Sequence, residues 1–195
     1  MSHAGKPKGH IMSTQSTLIL DGHLDLAYNA LFHRRDLTQD VYTLREREDP
    51  RPLGPSHPDS LRERKRQESP AKGTATVSFS EMRRGHVGIM LSTIMSRVQM
   101  PTQTLDDGAR TQLAAHAQGQ AHLHYYKALE RAGQLRFIRT VDDLDASVLD
   151  WSNPGSETSF GLILSMESAD PILGPDQVGW WHDQGLRSVG LTHFG

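Results

Sequence analysis

Three apolar runs in this 195-residue chain each close on a side chain able to hold a metal ion or move a proton. The first, Leu18-Ile19-Leu20-Asp21-Gly22-His23-Leu24-Asp25, reads as a buried strand ending in His-x-Asp. Residues two apart on a strand point to the same side, so His23 and Asp25 converge at its carboxyl end, where barrel and open α/β enzymes place their chemistry. An imidazole beside a carboxylate suits zinc. The run Phe160-Gly161-Leu162-Ile163-Leu164-Ser165-Met166 closes in the same way on Glu167, and Leu186-Arg187-Ser188-Val189-Gly190-Leu191-Thr192 closes on His193. Singly, such residues are often unremarkable: a strand-end histidine can be a hydrogen-bonded core residue, and Glu167 could be neutralised by an arginine. Three in succession form a pattern that a purely structural protein has little reason to produce.

The segments Asp21-Gly22-His23-Leu24-Asp25-Leu26, Ser165-Met166-Glu167-Ser168-Ala169-Asp170, Gly185-Leu186-Arg187 and Leu191-Thr192-His193 together resemble the membrane (renal) dipeptidase family of zinc peptidases, its bacterial branch most of all. Thr76-Val77-Ser78, Glu81-Met82-Arg83-Arg84-Gly85 and Tyr126-Lys127-Ala128-Leu129-Glu130-Arg131-Ala132-Gly133 extend the likeness, which runs from about residue 17 to residue 195. The resemblance implies a zinc-dependent dipeptidase that hydrolyses dipeptides by a two-metal hydroxide mechanism. It further implies that His23 and Asp25 bind one zinc, that Glu167 bridges this zinc to a second, and that His193 contacts the substrate at its scissile carbonyl or oxyanion. A carboxylate has two oxygens and can span two cations, which is the arrangement such a mechanism needs.

Two departures accompany the likeness. The family takes two further histidines for the second zinc, an acid/base aspartate and a substrate-binding arginine from strands downstream of the Leu-Thr-His segment, so at most one of the family's two zinc ions is expected in this chain. Ser168 stands where the family usually has glycine, a place where a side chain would crowd a tight strand-to-loop turn or demand backbone angles that serine tolerates poorly.

The elements that must position these residues follow a βα rhythm. Barrel-type strands are expected at 17–21, 86–95, 161–166 and 187–191. Helices are expected at 26–35, 41–48, 106–132 and 141–151, the last capped by Thr140 with Asp143, and 135–139 reads as a short extended piece. Residues 1–16 are expected to form a flexible amino-terminal segment and 17–195 the amino-terminal part of a single dipeptidase barrel domain, with a polar loop insertion expected at about 49–73, a stretch rich in Pro, Arg, Glu and Ser. A closed (β/α)8 barrel typically needs about 250 residues. The expected class is therefore α/β, the amino-terminal half of a TIM-like metal-dependent hydrolase barrel, incomplete, inactive by itself, and in need of a homo-oligomeric partner or a missing carboxyl-terminal half. The alternative is a non-catalytic half-barrel remnant or pairing module whose open edges are covered by another chain.

The remaining histidines carry less. At about 100° per residue His122 and His124 fall on opposed faces of one helix, so with His116 they make no ligand cluster. His3, His10, His33, His57 and His86 have no carboxylate at ligand-like spacing, and His182 sits among Trp180, Trp181 and Asp183 on an expected helix. Lys plus Arg (21) nearly balance Asp plus Glu (23), and the run Arg62-Glu63-Arg64-Lys65-Arg66 has an acidic neighbour and no aromatics. Charge thus makes no case for nucleic acid or a membrane surface as partner; the dipeptide substrate is what the family resemblance implies. Cysteine is absent, which removes disulfides and thiolate chemistry. With no apolar leader and no run near the roughly 20 residues of a membrane span, the expected location is cytoplasmic.

Overall fold

The computed structural model describes residues 17–48, 74–99, 108–155 and 157–193. The amino-terminal segment 1–16 and the polar insertion 49–73 fall outside the described residues.

In chain order the elements are β1 (Ile19–Leu24), α1 (Leu26–Leu31), α2 (Val41–Glu48), α3 (Phe79–Arg84), β2 (Val87–Ile94), α4 (Gln112–Arg131), β3 (Leu135–Phe137), α5 (Val141–Trp151), β4 (Phe160–Met166), a 3-10 turn (Pro175–Gln177), α6 (Val178–Asp183) and β5 (Leu186–Val189). Their boundaries have local causes. The α1 helix stops short of the expected residue 35 because Arg34 takes a left-handed backbone angle, φ 57°, that a helix cannot continue through. The Thr111 hydroxyl accepts the Ala114 N–H at 3.1 Å and so sets the start of α4. The α5 helix opens on the expected reciprocal cap, with the Thr140 hydroxyl accepting the Asp143 N–H and the Asp143 carboxylate accepting the Thr140 N–H.

All strand pairings are parallel. From one end the order is β1, β2, β4, and both β3 and β5 lie beside β4. Since β2 occupies one edge of β4 from Gly161 to Met166, the other two must share the opposite edge end to end. Accordingly β3 pairs with Phe160–Leu162, and β5 pairs with Leu164–Met166. The short extended piece at 135–137 is thus a fifth strand of the sheet, beyond the four expected from the apolar runs. Three residues give periodicity little to work on.

The core lies where helices cover the central strands. Met90, Ile94, Phe160, Leu162, Leu164 and Met166 from β2 and β4 are almost wholly buried, with Tyr126 of α4, Trp151 of α5 and Trp181 of α6 among the largest fully buried side chains. Trp151 packs so closely on β2 that a Cβ built on Gly88 would lie 2.2 Å from its ring. Near-continuous burial is the mark of a parallel strand covered on both faces. The β1 strand differs: its apolar run reads as buried, yet Ile19 and Leu20 are 47% and 51% exposed, because β1 has β2 on one side and no strand on its other side among the described residues. The sheet is not closed into a barrel.

Candidate metal centre

At the carboxyl ends of the strands the expected residues come together. The β1 strand reaches further than its apolar run suggests, continuing to Leu24, so His23 lies within it and Asp25 directly follows. Between Asp21 and Leu24 it advances three residues while its partner β2 advances two, from Met90 to Ser92. This is a bulge, a device that re-aims a side chain at the rim of a sheet. The Asp21 carboxylate turns back to accept the His23 N–H at 2.9 Å and so steadies the displaced backbone.

His23 Nε2 lies 3.4 Å from Asp25 Oδ2 and 3.0 Å from Glu167 Oε1. The ligand atoms of these three residues all fall within 4.8 Å of one another, and among the described residues they are the group of His, Asp and Glu able to hold a metal ion. One imidazole nitrogen and two carboxylates converging from two strands form a donor set that fits a divalent cation of the zinc type. His193, four residues past β5, places Nδ1 3.9 Å from Glu167 Oε1. Each of the four residues singled out from the sequence therefore lies within reach of another, with Glu167 at the centre.

Glu167 owes its position to backbone on both sides. Its N–H donates to the Ile94 carbonyl at 3.1 Å, while the neighbouring Gly190 N–H donates to the Met166 carbonyl at 2.8 Å. A Cβ at Gly190 would stand 2.7 Å from the Glu167 carbonyl oxygen, so glycine is what permits β5 to pass this close. Burial pushes the Glu167 carboxyl above the usual range and the neighbouring Asp25 charge adds to the shift, while His193, His23 and Arg97 oppose it. Such a carboxylate gains from any cation brought to it. Ser168 does not disturb the turn: it is buried, lies outside the left-handed region, and its hydroxyl accepts the Asp170 N–H at 3.3 Å.

The other described histidines do different work. His122 is buried beneath the site, with Nδ1 accepting the Met95 N–H at 3.3 Å, and burial drives its pKa down to about 4. His116 is engaged by the Pro171 carbonyl and Gln120, each at 2.7 Å, and the His86 ring stands edge-on to Trp151. Thr93, whose hydroxyl donates to the Asp25 carboxylate, and Tyr126, whose hydroxyl donates to the Thr93 carbonyl, were not singled out as site residues from the sequence. The available signal was Ser92-Thr93, a polar pair inside an otherwise apolar strand.

No protein-family model and no curated protein matches the sequence. Solved structures do match. Dipeptidase AC, a metallopeptidase of family M19, aligns with a TM-score of 0.57 at 20% identity over 91% of this chain and 43% of its own. The chain has the fold of part of a dipeptidase barrel. The probable dipeptidase PvdM from Pseudomonas aeruginosa gives 0.57 at 15% identity, covering 91% of this chain and 35% of that one. A metallopeptidase from Rhodobacter sphaeroides, solved with a phosphinate mimic of L-Ala-D-Ala, gives 0.56 at 18%, covering 91% and 46%. The chain thus spans less than half the length of these solved structures, and the part of the barrel it represents is the open parallel sheet bearing His23, Asp25 and Glu167.

Proposed function

We propose that this chain carries the first-metal half of a zinc-dependent dipeptidase site. The observation behind the reading is the meeting of His23 Nε2, Asp25 Oδ2 and Glu167 Oε1 at the carboxyl ends of parallel strands, in a sheet whose solved likenesses are metallopeptidases. His23 and Asp25 hold the metal from β1. Glu167 would share the metal with them and, as the family resemblance implies, would also serve a second cation, whose histidines would come from strands downstream of His193. When bound, zinc polarises a peptide carbonyl and lowers the pKa of water. His193, with an N–H turned inward, donates to the oxygen of the scissile carbonyl as negative charge develops there. A dipeptide is the substrate class that the dipeptide-like ligand of the Rhodobacter sphaeroides metallopeptidase favours.

The test is zinc-dependent release of free amino acids from simple dipeptides. The 195 residues alone are expected to be inactive. Joined to the downstream half of a dipeptidase barrel they are expected to gain activity, most of which Glu167→Gln then removes, because an amide cannot bridge two cations as a carboxylate does. Clear activity of the chain alone would refute the division of the site between halves. Full activity of the Glu167→Gln protein would refute the bridging role.

A second reading, a non-catalytic half-barrel that pairs with another copy, draws on the exposed Ile19 and Leu20 of β1 and on Leu191 just past β5, at the two ends of the open sheet. Sedimentation separates the two: metal-independent dimers without zinc binding would favour pairing alone.

A further inference from the structure

Asp25 stands at the N-cap of α1, a position where aspartate ordinarily turns its carboxylate onto the first amides of the helix. Here it makes no such bond. Its oxygens face elsewhere: Oδ2 toward His23 Nε2 at 3.4 Å, and Oδ1 to the hydroxyl of Thr93, which donates to it. An ionised carboxylate can only accept, so the direction of that bond is fixed. Thr93 is itself held. It is 1% exposed near the end of β2, its backbone is paired with Ser165 of β4, and its carbonyl accepts the Tyr126 hydroxyl at 2.8 Å. That same hydroxyl accepts the Ala27 N–H at 3.1 Å, two residues past Asp25. Tyr126 is fully buried on α4, so a single phenol ties β2 to the first turn of α1 on either side of the carboxylate. The Asp25 carbonyl is fixed as well, by the Asn29 side-chain amide at 2.8 Å.

We propose that Thr93 is a positioning residue of the metal centre: its hydroxyl occupies Asp25 Oδ1, so that Asp25 presents Oδ2 alone to the cation. The inference rests on reading His23, Asp25 and Glu167 as metal ligands. Without the hydroxyl, Asp25 can rotate, chelate through both oxygens or fall back to capping α1, and each alternative spoils the convergence with His23 and Glu167. Partners of this kind, which orient a ligand without touching the metal, typically carry about 10–100-fold in affinity.

The experiment is zinc titration of the whole chain against a chromophoric chelator, with the thermal transition of the metal-free protein measured alongside. Thr93→Val keeps the shape and loses the donor; it is expected to weaken zinc about 10–100-fold. Thr93→Ser restores the donor and should return affinity to within about threefold of the original, a rescue that a purely packing role for the Thr93 methyl would not give. Should Thr93→Val fail to fold, Thr93→Ala also removes the donor without adding bulk and is expected to show the same loss. Zinc affinity unchanged in the folded Val or Ala protein would overturn the positioning role while leaving the metal site intact. Absence of zinc binding by the unaltered chain would overturn both.

Discussion

His122 offers a quantitative test of how α4 is docked beneath the site. Its ring is buried and its Nδ1 accepts the Met95 N–H, so protonation would destroy an acceptor and bury a charge at once. Burial lowers its pKa from 6.5 to about 4, outweighing the attraction of the Asp25 carboxylate. Between those two values the unfolded chain binds the proton and the folded chain refuses it. Stability contributed by neutral His122 is therefore fully present above pH ~6.5 and is lost as pH falls toward ~4, reaching about 3 kcal/mol in all and about 2 kcal/mol at pH 5. In a domain of this size that loss at pH 5 is a fall in Tm of roughly 4–8 °C. Glu167, whose pKa is raised, works in the opposite sense, gaining relative stability on acidification, so the effect must be isolated by difference. The perturbation is His122→Asn, which retains an acceptor for the Met95 N–H and cannot titrate. Urea unfolding of both proteins at pH 7 and pH 5 should show the gap between them narrowing or reversing on acidification by about 2 kcal/mol. A gap that stays constant, or a His122 ring that titrates near pH 6.5 by NMR, would refute the burial argument.

Other outcomes follow from single contacts. Gly190→Ala places a methyl 2.7 Å from the Glu167 carbonyl oxygen. It should cost about 1–3 kcal/mol in chemical denaturation and weaken zinc by displacing Glu167, whereas an unchanged affinity would show that β5 does not hold that residue in place. Thr140→Ala removes the reciprocal cap of α5 and should cost about 1 kcal/mol, with no effect on metal affinity because the bonds of that cap run between Thr140 and Asp143 and involve none of the metal-site side chains.

The sequence disclosed the parts of the fold that rest on long apolar runs. The 160–167 segment is flanked by glycine and closed by Glu167, and it became the central strand with the bridging candidate at its end. Thr140 and Asp143 marked the start of α5 to the residue, since a capping box is a local bond pattern. Burial was less legible. Leu18-Ile19-Leu20 has the composition of a covered strand, but covering it depends on a neighbour that the run itself does not encode, and β1 lies at an open end. The extended piece at 135–139 was legible, but its place in the sheet was not: Leu135–Phe137 pairs on the edge of β4 that β5 leaves free, a relation set by tertiary topology. At the candidate site, the convergence of the four strand-end residues was readable because each closes an apolar run that places it at a strand's carboxyl end. Thr93 and Gly190 were not, because a hydroxyl that orients a ligand and a glycine that lets backbone pass are distinguished only by what lies beside them.

Zinc stoichiometry tests the central claim most directly. After equilibrium dialysis against zinc and removal of loosely held metal, the chain should retain about one zinc, bound by His23, Asp25 and Glu167, and His23→Ala or Glu167→Gln should abolish retention. Retention near two per chain, or one zinc undiminished by both substitutions, would contradict the account.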